Sequence, residues 1–351
     1  MDFSSDNAAG ASPEIIAAIA AANQGTAAAY GADAVTARLA ERFAALFEHE
    51  VAVFPVATGT AANALALAAL TPPWGIVYCH EEAHVAVDEC GAPEFFAAGA
   101  KLMPLAGEHA KIGPEAVARR LTERGFVHHV QPAAISISQS SEAGTLYTPA
   151  EVAALGGFAR RERLGLHMDG ARFANAVAAL GCAPADITWR AGVDALSFGA
   201  TKNGALAAEA VIFFDPAKAA DFGYRRKRGG HLLSKMRFVS AQLEAYLENG
   251  LWLANARQAN AMAARLAAGL ARLPQARLRH PTEANEVFVE LPDAAIRALA
   301  ADGCKFYRWG GADALCLRLV ASFATTADEV DAFLAAVRNH LGRTATRPNH
   351  S

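Results

Sequence analysis

Apolar residues recur every three to four positions in two segments near the start of the chain. Ser12 and Pro13 precede the first segment, and a serine followed by proline is a typical helix start. In residues 34–47, Leu39 and Phe43 belong to one apolar stripe of the helical period. Both segments are therefore predicted to form helices.

After residue 50 the pattern changes to short apolar runs that are almost continuous. Such runs are typical of strands buried on both faces of a sheet. Stretches with a helical pattern lie between most of them, for example residues 114–122 and 149–163. This alternation predicts an α/β fold with a mostly parallel central sheet and helices on both faces. The runs predicted as strands are residues 51–54, 76–79, 133–138, 164–168, 195–198 and 210–214.

A long helical pattern at residues 232–273 is expected to lead into a smaller C-terminal α/β domain. Two strands and two helices are predicted there, at residues 286–291, 314–320, 294–301 and 326–340. The first residues of the chain are expected to form an arm that packs on this domain. The predicted division is an arm at 1–30, a large domain at 31–250 and a small domain at 251–351.

Composition narrows the function classes. The chain has 351 residues, of which 53% are hydrophobic, and its formal net charge is −3. This balance gives no reason to expect a nucleic-acid partner. No apolar run approaches the roughly 20 residues of a membrane span, and the start of the chain does not resemble a signal peptide. Five isolated cysteines fit a reducing cytoplasm, and no metal site is expected from them.

The first segment with candidate chemistry is residues 57–63, between the predicted strand 51–54 and a helix. A turn of small residues that opens a helix points several backbone N–H groups at one place, at the positive end of the helix dipole. The hydroxyls of Thr58 and Thr60, on either side of Gly59, add donors. The segment therefore predicts a phosphate site, although such a sequence is also an ordinary helix start.

Two further segments follow predicted strands. Asp169 stands at the end of strand 164–168, with Arg172 three residues on, and Lys202 follows strand 195–198. A carboxylate at a strand end can face a cofactor, and an arginine can clamp a carboxylate with two hydrogen bonds. A helix-capping aspartate and a surface lysine remain the structural alternatives. The spacing favours function, because strand ends of a parallel sheet share one rim.

Two other features remain open. His84 follows the predicted strand 76–79, and an imidazole at the rim can stack on a flat ring or transfer a proton. A lone histidine is more often structural. The basic run at residues 224–228 is either a solvated helix end or a phosphate-facing cluster.

Taken together, these segments resemble the low-specificity L-threonine aldolases, enzymes of fold type I that depend on pyridoxal 5′-phosphate (PLP) and are related to the β-eliminating lyases. The resemblance runs in one order from residue 3 to about residue 335, and His167 to Arg172 is its closest part. The matching segments are Ser4-Ser5-Asp6-Asn7, Tyr30-Gly31-Ala32-Asp33, Thr58-Gly59-Thr60-Ala61-Ala62-Asn63, Ala83-His84 with Glu89, His167-Met168-Asp169-Gly170-Ala171-Arg172, Lys202, and Leu317-Arg318-Leu319-Val320.

The resemblance implies a PLP site and assigns catalytic roles. Lys202 is the Schiff-base lysine, Asp169 pairs with the pyridine nitrogen, and His84 stacks on the ring and is a candidate acid or base. Cofactor contacts are also implied for Arg172 and, from its own or a neighbouring subunit, for Arg228. The implied phosphate-binding residues are Thr58, Gly59 and Thr60.

The implied reaction is retro-aldol cleavage of threonine-type β-hydroxy-α-amino acids to glycine and an aldehyde. Ser5, Arg172 and Arg318 are the implied ligands of the substrate carboxylate. One segment departs from many family members, which have Glu-Asn-Thr-His where this chain has Gln-Ser-Ser-Glu, ending at Glu142. Glu142 is therefore a further substrate-binding candidate. A preference for phenylserine, or another β-eliminating or aminotransferase reaction, is the alternative, and a homotetramer or homodimer with shared sites is expected.

Overall fold

A seven-stranded sheet forms the centre of the molecule. The computed structural model describes residues 1–345, so residues 346–351 of the predicted small domain lie outside the described part. The order across the sheet is β1-β7-β6-β5-β4-β2-β3, and β7 alone runs antiparallel to its neighbours. The strands are β1 Ala52–Val56, β2 Gly75–His80, β3 Lys101–Leu105, β4 Gln131–Ser138, β5 Gly165–Gly170, β6 Ala195–Gly199 and β7 Glu209–Phe213. The predicted mostly parallel sheet is confirmed.

The helices of the large domain connect these strands and pack around the sheet. Their N-termini carry the expected signals: Asp33 caps α2 by accepting from Thr36 N at 2.9 Å, and Thr148 and Glu151 form a capping box on α7. The helices are α1 Pro13–Ala22, α2 Ala34–Phe47, α3 Gly59–Leu70, α4 His84–Val87, α5 Ala92–Phe96, α6 Pro114–Ala118, α7 Pro149–Arg161, α8 Phe173–Leu180, α9 Phe222–Arg228, α10 Arg237–Leu247 and α11 Leu251–Leu270.

One local prediction was wrong, and one strand was missed. The helical pattern at 232–273 is not one helix, because Asn249 and Gly250 adopt left-handed backbone angles (φ 51° and 71°) that separate α10 from α11. Strand β3 was not predicted at all. It lies at the sheet edge, is partly exposed and contains Pro104, so it lacks the continuous apolar run of a central strand.

The smaller second sheet is antiparallel, with the order β10-β11-β9-β8. Two of its strands, β9 and β11, were predicted, whereas the other two have only two residues each. Its elements are β8 Arg277–Leu278, β9 Glu286–Glu290, α12 Asp293–Ala301, β10 Tyr307–Arg308, β11 Cys316–Val320 and α13 Ala327–Ala345.

The two sheets have separate hydrophobic cores. Helix α11 contributes to both: Trp252 and Ala256 pack in the core of the large sheet, and Leu266 and Leu270 in that of the small sheet. Phe3 also belongs to the second core, and its backbone bonds to Lys305 and Val320 hold the start of the arm on the small sheet. These separate cores support our proposal of a division near residue 250, at the start of α11. They do not support a separate arm up to residue 30, because Ile15 of α1 packs in the core of the large sheet and only the first residues lie on the small domain. No helix within residues 1–345 is long and apolar enough to cross a membrane.

Candidate active site

The loops that follow five strands meet at one rim of the large sheet. Strands β1, β2, β4, β5 and β6 run in the same direction, so their carboxyl ends lie together. Because β7 runs the other way, its first residue, Glu209, lies at the same rim. A cavity of about 260 Å³ opens there. Its lining residues are Asn7, Ala57, Thr58, Gly59, Thr60, Ala62, Asn63, His84, Glu142, Asp169, Ala171, Ser197, Thr201, Lys202 and Glu209.

The N-terminus of α3 forms one wall of this cavity. Thr58 is the N-cap residue, with extended backbone, and its hydroxyl accepts a hydrogen bond from Ala61 N at 3.2 Å. The first N–H groups of a helix have no partner within the helix, so those of Gly59 and Thr60 are available to an anion. A Cβ placed on Gly59 would meet no protein atom within 4 Å, so the space before these groups is open.

Asp169 lies buried near the end of β5, between two donors. Its Oδ2 accepts from the Asn63 side chain at 2.9 Å, and its Oδ1 accepts from the backbone N–H of Ala171 at 3.0 Å. Among residues 1–342, no lysine or arginine forms an ion pair with it within 4 Å. The carboxylate therefore has a fixed orientation and no competing salt bridge, as a partner for a protonated ring nitrogen requires.

His84, the first residue of α4, is held by a buried glutamate. Its Nδ1 lies 2.8 Å from Glu89 Oε1, and Asn63 Nδ2 donates to the same oxygen at 2.8 Å. The hydrogen bond with Glu89 is the main reason that the pKa of His84 is raised, while burial raises the pKa of Glu89. A carboxylate acceptor at Nδ1 favours the tautomer that leaves Nε2 as the basic nitrogen. Asn63 thus links His84, through Glu89, to Asp169.

Lys202 lies in a short 3₁₀ turn directly after β6 and is partly buried. The next residue anchors the turn, because Asn203 Nδ2 donates to Tyr246 Oη at 2.6 Å and to Trp252 O at 2.8 Å. Gly204 follows with φ 114°, and a Cβ there would lie 2.4 Å from Ser12 Oγ. The Asn-Gly pair is therefore required by the turn that positions the lysine.

The two arginines predicted to bind a carboxylate are both paired with internal carboxylates. Arg172 donates to both oxygens of Asp6, at 2.8 and 3.1 Å, and its Nη1 lies 3.4 Å from Glu286 Oε2. Arg318 donates through Nε to Glu286 Oε1 at 2.9 Å. Burial raises the pKa of Asp6, but Arg172 and Lys202 outweigh it and leave that pKa below its ordinary value.

Of the remaining predicted residues, Glu142 lines the cavity, whereas Ser5 and Arg228 do not. Glu142 lines the cavity, and its pKa is raised by burial and by the neighbouring Glu286. Ser5 caps the 3₁₀ turn of Asp6–Ala8 by accepting from Asn7 N at 3.1 Å. Arg228 is exposed at the end of α9 and does not line the cavity, so the structure does not bring it to the other predicted residues within one chain.

No role was predicted from the sequence for three residues of this region: Asn63, Glu209 and Glu286. Asn63 stood in a motif that was noted only for its phosphate-binding loop. Glu209 and Glu286 each begin an apolar strand and are buried. A carboxylate next to an apolar run is rarely buried without a partner. This pattern in the sequence could have identified Glu209 and Glu286.

The residues present fit PLP. Unpaired helix N–H groups and threonine hydroxyls suit a phosphate, the buried carboxylate of Asp169 suits a pyridinium nitrogen, and the amine of Lys202 opens into the same cavity. An α/β protein with this donor set at the rim of its sheet has the features of a PLP-dependent enzyme.

Comparison with known proteins supports this interpretation of the fold and the site. The family model for beta-eliminating lyases matches residues 2–294. Two low specificity L-threonine aldolases, from a Pseudomonas species and from Pseudomonas aeruginosa, are 45% and 46% identical over 317 residues, covering 90% of this chain and 92% of each relative. The solved threonine aldolase of Leishmania major superposes with a TM-score of 0.89 at 28% identity, covering 96% of this chain and 98% of that one.

This chain belongs to the beta-eliminating lyase family and, within it, to the low specificity L-threonine aldolases. The resemblance noted in the sequence is thereby confirmed, as is the fold type. The chain is a lyase.

Proposed function

We propose that this enzyme uses PLP, bound at Lys202, to cleave L-threonine-type β-hydroxy-α-amino acids into glycine and an aldehyde. The observation that carries the proposal is that Lys202, Asp169 and the N-terminus of α3 line a single cavity. The relatives named as L-threonine aldolases favour carbon–carbon cleavage over β-elimination or transamination.

PLP is held in this proposal by groups from three sequence segments. Thr58, Gly59 and Thr60 bind its phosphate, Asp169 pairs with its ring nitrogen, and Lys202 carries it. When bound, PLP supplies an electron-withdrawing ring that accepts the electron pair of the breaking Cα–Cβ bond.

The substrate carboxylate is recognised by Arg172 and Arg318, with Ser5 as a further candidate. Glu142, which lines the cavity, is a candidate contact of the substrate side chain and not of its carboxylate. Glu286 holds both guanidinium groups close together, since its two oxygens face one arginine each. A carboxylate fixed by two arginines orients the rest of the substrate, and such positioning contributes several kcal/mol to catalysis. By fixing the carboxylate, the two arginines determine which bond to the substrate Cα is aligned for cleavage.

His84 acts on the β-hydroxyl group. Its Nδ1 is engaged with Glu89, and its Nε2 has no hydrogen bond within the described chain. Nε2 is therefore placed to take the hydroxyl proton as the aldehyde forms. A proton returned to Cα completes glycine.

We further propose a cytoplasmic homotetramer or homodimer. Arg228 is exposed in the single chain, and Tyr224 on the same helix is 80% exposed. A neighbouring subunit that covers this helix would bring Arg228 to a phosphate site. Light scattering on the purified protein, with Arg228→Ala compared for PLP affinity, tests this arrangement.

The central experiment is an absorbance spectrum of the pure protein before and after borohydride, followed by peptide mapping. We expect a visible band that borohydride removes, a label on Lys202, and glycine with acetaldehyde from L-threonine and L-allo-threonine. Lys202→Ala should lose the label and the products, whereas Lys101→Ala, at an exposed edge-strand lysine, should keep both. A label on another lysine, or a product other than glycine, would refute the proposal.

A further inference from the structure

Glu209 occupies an unusual place between the two loops that hold opposite ends of the proposed site. It is the first residue of β7, and it lies opposite Val56 of β1 on one side and Gly199 of β6 on the other. Strand β1 continues into the loop of Thr58 and Thr60, and β6 continues into the turn of Lys202. A carboxyl group is thereby placed beside a site built for an anion.

The surroundings of Glu209 disfavour its ionised form. The residue is 8% exposed, and the backbone N–H of Ala200 donates to its Oε2 at 3.0 Å. Burial raises the pKa of Glu209 to about 7, and hydrogen bonds from Thr201 and Ala200, with the charge of Lys202, offset only part of that effect. Glu209 therefore changes its charge near neutral pH.

Few titratable groups face Glu209. Lys202 approaches from the end of β6, Asp169 from β5, and Tyr246 from α10. Behind the phosphate loop, His231 lies 3.5 Å from Ala57 N, and Arg226 donates to Pro55 O at 3.3 Å. Among the described residues that line the cavity, only Lys202 and His84 are basic.

A bound phosphate and an ionised Glu209 would be two anions in one small cavity. Two acidic groups in one small site cannot both be ionised without a large cost in free energy. A protonated carboxyl group, in contrast, is a hydrogen-bond donor that suits a phosphate oxygen.

We propose that Glu209 carries a proton when the cofactor phosphate is bound, so that cofactor binding in alkaline solution takes up one proton from the solvent at this side chain. The inference rests on the proposed function, because the phosphate must occupy the N-terminus of α3. Glu209 would then be a cofactor-binding residue in its neutral form.

The test uses pyridoxine 5′-phosphate, which has no aldehyde and so does not react with Lys202. Its dissociation constant is measured from pH 6 to 8.5 for the full chain freed of PLP, for Glu209→Gln and for the control Glu81→Gln, an exposed residue outside the cavity. The amide cannot ionise, so wild type should bind as tightly as Glu209→Gln at pH 6 and about thirtyfold more weakly at pH 8.5. Glu81→Gln should follow wild type, and parallel profiles for wild type and Glu209→Gln would overturn the proposal.

Calorimetry of the wild-type protein provides a second test that needs no variant. At pH 7.5 the free phosphate is almost fully ionised and the ring nitrogen of the free ligand is still mostly protonated, so neither takes up much of a proton on binding. Titration in two buffers of different ionisation enthalpy should then show uptake of about three-quarters of a proton per ligand at Glu209. No uptake would overturn the proposal even if Glu209→Gln failed to fold. If the protein bound neither pyridoxine 5′-phosphate nor PLP at any pH, the proposed function itself would fail, which is a different result from binding without proton uptake.

Discussion

Asp6 and Arg172 form a buried two-point ion pair, with Nε–Oδ2 at 2.8 Å and Nη2–Oδ1 at 3.1 Å, although 166 residues separate them in the chain. Asp6 belongs to the N-terminal arm, whereas Arg172 follows strand β5 at the rim of the large sheet. The pair therefore ties the arm to the active site. It also means that the arginine predicted to bind a substrate carboxylate is oriented by a carboxylate of its own chain.

Replacing Asp6 should destabilise the protein strongly. Removing one partner of a buried pair leaves an uncompensated charge, which costs about 3–5 kcal/mol. Asp6→Ala should lower the free energy of unfolding in urea by that amount. The matched control Asp2→Ala removes an exposed pair with Lys305 and exposed hydrogen bonds from Ser4, and a loss of at most about 1 kcal/mol is expected. Equal losses for the two variants would contradict the role of Asp6.

The same ion pair predicts how the stability of the protein changes with pH in the acidic range. The folded-state pKa of Asp6 lies below its ordinary value, so its contribution to stability is complete above the unfolded pKa of about 3.9 and disappears as pH falls through the folded pKa. The stability difference between wild type and Asp6→Asn should therefore be constant from pH 5 to 7 and shrink below pH 4. Urea unfolding across this range measures it.

Glu89→Gln should shift the acid limb of the activity profile. The hydrogen bond from Glu89 is the main cause of the raised pKa of His84, and a base must be neutral to accept a proton. Without the carboxylate, the pKa of His84 falls, so log kcat/KM for aldehyde release should begin to decline at a lower pH than in wild type. Glu82→Gln, at an exposed residue of the same loop, should leave the limb in place. An unmoved limb in Glu89→Gln would exclude His84 as the titrating base.

Much of this site could be predicted from the sequence because its residues follow apolar strands. Asp169 and Lys202 stand directly after such runs, and parallel strands bring their ends together whatever the details of packing. The pairing of Arg172 with Asp6 could not be predicted, because it depends on the path of the arm across the molecule. Likewise, the linking role of Asn63 requires the positions of α3, α4 and β5 together, which no local pattern contains.

Asn63→Ala should weaken cofactor binding. One amide nitrogen donates to Asp169 at 2.9 Å and to Glu89 at 2.8 Å, so its removal leaves two buried carboxylates with one donor fewer each. Without this donor the orientation of Asp169 toward the ring nitrogen is no longer fixed, so the dissociation constant for PLP should rise. The upper limit is roughly 5- to 150-fold, which corresponds to the full cost of about 1–3 kcal/mol for an unsatisfied buried partner. Fluorescence titration measures it, and Asn23→Ala, at the exposed end of α1, should bind like wild type. Unchanged affinity in Asn63→Ala would show that Asp169 does not need this donor.

Gly204→Ala should disrupt the turn that carries Lys202, for two separate reasons. The backbone angle φ of 114° is strained for any residue with a Cβ, and that Cβ would lie 2.4 Å from Ser12 Oγ and 2.6 Å from Asn255 Nδ2. Gly303→Ala is the matched control, because Gly303 also has a positive φ, 80°, but no atom within 4 Å of the added Cβ. The backbone alone costs about 1–3 kcal/mol, so Gly303→Ala should lose that much stability and keep full PLP binding. Gly204→Ala should lose more stability and also bind PLP more weakly, since Asn255 holds both the turn and Ser12. If the two variants behaved alike in urea unfolding and in PLP titration, the close packing behind the lysine turn would not be what positions Lys202.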